Sequence, residues 1–76
     1  MSKLTIVSAA DMVRILKKLE FVEIRQKGSH KFLSHKDGKS TVVPMHNKDL
    51  KRGLIKGILR DAGLTDDEYE EIRKSV

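Results

Sequence analysis

The sequence predicts an α+β fold in which one helix, three antiparallel strands, a second helix and a short third helix follow one another. The spacing of apolar residues changes from a helical period to strict alternation and back, with turn-forming residues between the segments. The chain has 76 residues, and a chain of this size buries only about 60% of its unfolded surface, enough for one thin core. We therefore expect a single domain over residues 1–76, an α-β-β-β-α two-layer sandwich with helices on one face of a three-stranded sheet and the other face open.

The first helix is predicted to begin at Ser8. Residues 8–11 resemble a capping box, with Ser8 as the N-cap and Asp11 at the third helical position. The apolar residues that follow keep helical spacing: Met12, Val13, Leu16 and Leu19. Three basic residues fall largely off this stripe: Arg14, Lys17 and Lys18. We expect the helix to end at about Leu19 or Glu20, with a cationic exposed side.

The first strand is predicted over residues 21–26, where apolar and polar residues alternate. Because successive side chains of a strand point to opposite faces, Val22 and Ile24 are expected on one face. Glu23 and Arg25 are expected on the other.

Turn signals delimit the second and third strands. A turn at Lys27-Gly28-Ser29 leads into a strand over residues 30–34, and Asp37-Gly38 precedes a strand over residues 40–43. The second strand contains two adjacent apolar residues, Phe32 and Leu33. The pattern therefore leaves open which face of this strand is buried, and with it the direction in which His30 points.

The second helix is predicted between Asn47, a suitable N-cap, and Gly63, a suitable residue just beyond the C-terminus. Its apolar face is broad: Leu50, Leu54, Ile55, Ile58, Leu59 and Ala62. Gly53 and Gly57 lie inside this helix, where each glycine costs roughly 1 kcal/mol relative to alanine. This cost suggests that another group closely approaches the helix backbone.

A short acidic helix is predicted at the end of the chain. Thr65-Asp66-Asp67-Glu68 is a capping box, with Thr65 as the N-cap and Glu68 reaching back to it. The apolar side of this helix is formed by Tyr69, Ile72 and Val76.

Charge is unevenly distributed along the chain. The formal net charge is +5, but residues 1–60 hold 14 of the 16 Lys and Arg and only 5 of the 11 acidic residues. A strongly basic body is typical of proteins that bind nucleic acid, the most common polyanion. A basic protein with a merely solvated face is an equally weighted interpretation of the charge alone.

Composition excludes several functional classes. The chain has no cysteine, which rules out disulfides, thiolate nucleophiles and cysteine-ligated zinc sites. No apolar run approaches the roughly 18 residues that a membrane span requires. The apolar segment 4–10 is interrupted by Asp11 and preceded by one lysine, a poor match to a signal peptide. We expect a cytoplasmic protein that does not engage a membrane.

His30 is the strongest catalytic candidate in the sequence. It follows the basic turn Arg25-Gln26-Lys27-Gly28-Ser29, and histidine can both accept and donate a proton near neutral pH. RNA supplies its own nucleophile, the 2′-hydroxyl, so cleavage needs only a proton-transfer group and cations that stabilise the developing charge. A purely structural role for His30 has roughly equal weight.

The other two histidines are weaker candidates. His35 precedes the Asp37-Gly38 turn and is interpreted as solvated surface. His46 precedes the second helix and is a candidate phosphate contact, although a loop histidine without such a role is the favoured interpretation. An odd spacing places His30 and His35 on opposite faces of a regular strand, so a metal site is not expected. Serine–histidine hydrolysis is disfavoured for the same reason, because Ser29 and His30 are adjacent.

Several segments together resemble the HicA family of toxins, small messenger-RNA-cleaving proteins of bacterial and archaeal toxin–antitoxin pairs. The resemblance covers nearly the whole chain and depends on the order and spacing of its segments. These are Arg25-Gln26-Lys27-Gly28-Ser29-His30, Thr41-Val42-Val43-Pro44-Met45-His46, Gly53, Ile58-Leu59 and Ala62-Gly63-Leu64.

The resemblance implies a fold similar to the double-stranded-RNA-binding domain and an endoribonuclease that acts without cofactor or metal. The family's catalytic histidine falls on His30, and its glycine-serine lead-in falls on Gly28 and Ser29. The implied RNA-binding surfaces comprise the first helix, a strand-connecting loop and the start of the last helix. The candidate RNA-binding residues are Lys17, Lys18, Arg25, Lys27, Gly28, Ser29, Lys31, His46, Lys48, Lys51 and Arg52.

The resemblance also implies partners: messenger RNA as substrate and a HicB-type antitoxin that covers the active surface. DNA would be contacted only indirectly, through the antitoxin. Two alternatives to the enzyme stay open at this stage. One is a non-catalytic RNA-binding module, and the other is a protein-interaction module built on Gly53, Gly57 and the acidic tail.

Overall fold

The computed structural model describes residues 4–45 and 48–76. The elements within these residues are α1 (Ala9–Lys18), β1 (Val22–Lys27), β2 (His30–Ser34), β3 (Ser40–Pro44), α2 (Arg52–Ala62) and α3 (Asp66–Arg73). The three strands form one antiparallel sheet in the order β1-β2-β3. The predicted α+β order is confirmed.

Side chains of β2 and β3 show which face of the sheet meets the helices. Leu33 and Val43 are 0% exposed in the core, and the Thr41 hydroxyl donates a hydrogen bond to Asp61 of α2 at 3.1 Å. Since neighbouring residues of a strand point apart, His30 and Phe32 project from the opposite, open face. The structure thereby answers the question that the apolar pair in β2 left open.

β1 is an edge strand with a bulge. Glu23 pairs with Leu33 and Arg25 pairs with Phe32, so one extra residue, Ile24, is inserted in β1 between these pairs. Partners across a ladder share a face, which places Glu23 on the helix side and Arg25 on the open side. The prediction that Glu23 and Arg25 share a face is wrong, because a bulge reverses the alternation that follows it.

α1 begins as predicted. The Ser8 hydroxyl accepts a hydrogen bond from the Asp11 N–H at 3.1 Å. Of the predicted apolar stripe, Met12, Val13 and Leu16 are buried in the core, and Leu19 is partly buried against it. The helix ends at Lys18 with Leu19 as C-cap, within one or two residues of the predicted end. Its predicted basic residues are exposed: Arg14, Lys17 and Lys18.

α2 begins later than predicted. Asn47 lies outside the described residues, and the helix starts at Arg52 with Lys51 at the N-cap and no side-chain cap. Leu50, which fitted the helical period, instead lies before the helix, where its side chain is buried. Its N–H donates to the Val7 carbonyl at 3.0 Å. The end of the helix is confirmed, since Gly63 adopts a left-handed φ of 71° at the C-cap.

The two glycines of α2 have no close neighbour where a side chain would go. A Cβ built on Gly53 or on Gly57 meets no atom within 4 Å outside the local helix backbone, among the residues that the structure describes. The predicted close approach of another group to this backbone is therefore wrong for the described part of the chain.

Gly57→Ala is expected to raise the free energy of unfolding by roughly 0.5–1 kcal/mol, because alanine restricts the unfolded chain and fits the helix without a clash. Urea denaturation followed by circular dichroism would measure this. Gly63→Ala is the matched control. There the left-handed backbone and the Lys39 Cε, 2.9 Å from a built Cβ, predict destabilisation. A lower stability for Gly57→Ala would contradict the finding that a Cβ at Gly57 meets open space.

α3 fastens the N-terminal segment to the core. The predicted capping box at Thr65 is confirmed, with both reciprocal hydrogen bonds present. Tyr69 is 0% exposed and its hydroxyl donates to the Thr5 carbonyl. Burial, with a contribution from the nearby Glu70 carboxylate, raises the pKa of Tyr69 to about 12. The Glu70 carboxylate accepts hydrogen bonds from the Thr5 N–H at 2.7 Å and the Thr5 hydroxyl at 3.0 Å.

These contacts predict a pH dependence of stability. Burial acts to raise the pKa of Glu70, but hydrogen bonds from Thr5 and Arg73 outweigh it and hold the pKa below the usual 4.5. A depressed carboxyl pKa contributes stability that is complete above the unfolded value and is lost as pH falls through the folded value. The difference in Tm between wild type and Glu70→Gln is thus expected to shrink below pH 4.5.

Thermal unfolding at a series of pH values would test this expectation. Glu71→Gln is the matched control, because it removes the same charge from an exposed position of the same helix. Equal pH dependence of the two variants would contradict the role assigned to Glu70.

Candidate active site on the open sheet face

The open face of the sheet consists of three rows of cross-strand neighbours. From β1 through β2 to β3, the rows are Val22, Ser34 and Ser40; Arg25, Phe32 and Val42; and Lys27, His30 and Pro44, of which Pro44 is buried. None of these nine residues is acidic. The face therefore combines apolar surface with positive charge, and it carries the candidate histidine in its last row.

The β1–β2 turn positions His30. Lys27 pairs with His30 across a two-residue turn, and of its two central residues only Gly28 has a positive φ, 59°. This agrees with a type II′ hairpin, in which glycine takes the first central position. His30 is exposed at the start of β2, directly opposite Lys27. The imidazole and an ammonium group thus share one end of the open face.

A hydrogen bond ties this turn to the segment after β3. The Met45 N–H donates to the Ser29 carbonyl at 2.5 Å, so the turn that carries Gly28 and Ser29 is held against the residue that follows β3. His46, the predicted phosphate contact, follows Met45 in the chain but lies outside the described residues.

Arg25 is held over the aromatic ring of Phe32. The guanidinium carbon lies 4.7 Å from the ring centroid, a cation–π contact that restricts an otherwise exposed side chain. Arg25 thereby shares the open face with Lys27 and His30. Phe32 lies on this face beneath Arg25, and sequence reasoning did not select it as a candidate. Its spacing of two from His30 was the available signal.

Lys31 and Lys17 lie on the other side of the sheet. The Lys31 ammonium is 3.4 Å from a Glu23 carboxylate oxygen, and the Lys17 ammonium is 3.9 Å from the same oxygen. Lys31 follows His30 in sequence but projects to the opposite face. These two predicted RNA-binding residues therefore belong to a second basic surface, and they are already partly neutralised by Glu23.

The remaining predicted cations lie on the helical side or near the start of α2. Lys18 is exposed on α1, and Lys48 and Lys51 are exposed before α2. The Arg52 guanidinium donates to the Leu4 carbonyl at 3.1 Å, which ties it to the N-terminal segment. The predicted RNA-binding set is thus divided: of its members within the described residues, Arg25, Lys27 and the β1–β2 turn share the open face with His30.

A known protein family matches most of the chain. Residues 9–64 match the family described as HicA toxin of bacterial toxin–antitoxin systems. The chain belongs to the HicA toxin family. The match spans α1 to the residue after Gly63 and includes the β1–β2 turn with His30, whereas α3 lies beyond it. Comparison with curated proteins gives no significant match. Membership of the HicA family implies an antitoxin partner.

His35 of this HicA toxin packs against other residues and is largely shielded from solvent. Its side chain is only 18% exposed, and its ring packs against Phe21 with centroids 5.2 Å apart. Its Nδ1 accepts the Asp37 N–H at 3.1 Å. The Lys39 side chain and N–H donate to the Asp37 carboxylate and lower its pKa to about 2. The interpretation of His35 as solvated surface is wrong, because the β2–β3 turn folds its ring inward.

Within residues 4–45 and 48–76, no group of three His, Asp or Glu side chains is placed to hold a metal ion. Over the same ranges, no helix combines the length and apolar character that crossing a bilayer demands.

Proposed function

We propose that this HicA toxin is a metal-independent endoribonuclease that cleaves messenger RNA, with His30 as its general acid or base. The observation that carries the proposal is the placement of an exposed His30 opposite Lys27, on a sheet face whose nine residues include two cations and no carboxylate. Such a face attracts a phosphate backbone and presents a proton-transfer group to it. Membership of a toxin family adds independent support.

The chemistry requires little from the protein because RNA contains the nucleophile. The 2′-hydroxyl attacks the adjacent phosphorus, its proton leaves, and the 5′-oxygen of the next nucleotide departs with a proton. His30 serves one of these proton transfers, and water serves the other. Lys27, the direct cross-strand neighbour of His30, stabilises the negative charge that grows on the phosphate oxygens. The products carry a 2′,3′-cyclic phosphate and a 5′-hydroxyl.

The antitoxin is proposed to be of the HicB type and to cover the open face. Val22 and Ile24 at the edge of this sheet are 62% and 60% exposed, an apolar surface that a protein partner would bury. Covering the face would also block His30 and silence the enzyme. Any contact of the complex with DNA is proposed to be made through the antitoxin.

The experiment is incubation of metal-stripped protein with a long single-stranded RNA in EDTA, followed by analysis of product ends. Fragments ending in 2′,3′-cyclic phosphate would support the proposal. Cleavage that requires added divalent metal, or that leaves 3′-hydroxyl ends, would contradict it.

A non-catalytic RNA-binding module is the second candidate. It is favoured by the exposed lysines on the helical side, Lys18, Lys48 and Lys51, which could hold RNA away from His30. Salt-sensitive RNA binding without any product, on an RNA of mixed sequence, would select this candidate.

A further inference from the structure

We propose that Arg25, backed by the ring of Phe32, is a stacking platform for a nucleobase of single-stranded RNA beside the phosphate that His30 serves. The inference rests on the proposed function in one respect, namely that RNA reaches the open face. It adds a residue that positions the substrate by stacking on the base next to the reacting phosphate.

The guanidinium of Arg25 has one covered side and one open side. It is planar, and its carbon lies 4.7 Å from the Phe32 ring centroid. One side of the guanidinium is therefore occupied by an aromatic ring, whereas Arg25 as a whole is exposed. The outer side is open to a second planar group, and guanidinium planes are common stacking partners of unpaired bases. Contact with Phe32 lowers the entropy cost of ordering this long side chain.

The platform of Arg25 and Phe32 lies one row away from His30 on the open face. Phe32 and His30 are two residues apart on the same face of β2, a separation of about 7 Å along a strand. Arg25 and Lys27 repeat this spacing on β1. A nucleotide whose base stacks on Arg25 can therefore place an adjacent phosphate between Lys27 and His30.

The charge of the open face indicates which ligand it binds. The nine open-face residues contain no carboxylate, so the face complements a polyanion and disfavours a second copy of this basic chain. Duplex RNA keeps its bases inside the helix, whereas single-stranded RNA presents them for stacking. Single-stranded RNA is thus the ligand whose charge and planar groups both match the face.

The test uses Arg25→Lys, which keeps the positive charge and removes the planar group. Arg60→Lys is the matched control, because it makes the same exchange at an exposed position of α2, on the other side of the sheet. Both exchanges are made in full-length protein that also carries His30→Ala, so that the RNA stays intact. The probe is a short single-stranded RNA with one 2-aminopurine, moved through the sequence, whose fluorescence falls when the base stacks.

Stacking contributes about 5- to 150-fold to affinity for one base, so Arg25→Lys is expected to lose quenching at one position and to bind that RNA more weakly by this factor. Arg60→Lys is expected to retain both. Phe32→Leu should match Arg25→Lys, with thermal unfolding to show that it is folded. Equal quenching by Arg25→Lys and its parent would overturn the inference, as would an equal loss in Arg60→Lys.

The outcomes separate this inference from the proposed function. Quenching that depends on Arg25, together with wild-type protein that leaves RNA intact, would support the platform and contradict the nuclease. Cleavage by wild type, with equal quenching in Arg25→Lys and its parent, would support the nuclease and contradict the platform. Absence of RNA binding, with Arg25→Lys weakening only a protein partner, would overturn both.

Discussion

His30→Ala is expected to slow RNA cleavage by about 10²- to 10⁴-fold, the usual contribution of one general acid or base. The free energy of unfolding should change by less than about 0.5 kcal/mol, because the residue is exposed at the start of a strand and outside the core. Initial rates on a defined single-stranded RNA, measured in EDTA beside urea denaturation, would check both parts.

His35→Asn is the matched control for this substitution. It removes the second described imidazole and keeps a polar acceptor near the Asp37 N–H, at the opposite end of β2. Cleavage should persist in the control wherever the protein is folded. A His30→Ala protein that cleaves as fast as wild type, after purification that removes host ribonucleases, would refute the assignment of His30.

Local chemistry made much of the fold predictable. The caps at Ser8 and Thr65 and the C-terminal Gly63 are set by side chains or backbone angles within three or four residues. The bulge at Ile24 and the late start of α2 depend on distant partners instead. Leu50 fitted a helical period because it is buried, but the partner that pairs with it is the N-terminal segment.

The candidate site was predictable in its residues and less so in its arrangement. The basic turn and His30 stand out in the sequence, yet two adjacent apolar residues in β2 concealed which face His30 occupies. Because Leu33 lies in the core, the alternation of side chains along β2 places Lys31 on the helix side of the sheet. The same alternation places Phe32 on the open face with His30. Arg25 joins them only because the bulge changes its face, which no local signal indicated.

Tyr69→Ala is expected to lower the free energy of unfolding by about 3–5 kcal/mol, the usual cost of removing a buried aromatic side chain. A domain of this size has a total stability of roughly 3–5 kcal/mol, so the variant should be largely unfolded at 25 °C. Tyr69→Phe should cost about 1–2 kcal/mol, because it removes only the hydroxyl that donates to the Thr5 carbonyl. Circular dichroism and urea denaturation would measure both.

The Tyr69 variants also test whether the acidic helix α3 has a role beyond stability. α3 packs against α1, away from His30, and two of its carboxylates, Glu70 and Asp66, have structural partners. Glu70 binds Thr5 and Arg73, and Asp66 accepts from the Lys56 ammonium at 2.8 Å. If α3 acts through stability alone, Tyr69→Phe should cleave RNA like wild type at temperatures where both are folded. A slower folded variant would instead connect α3 to the open face.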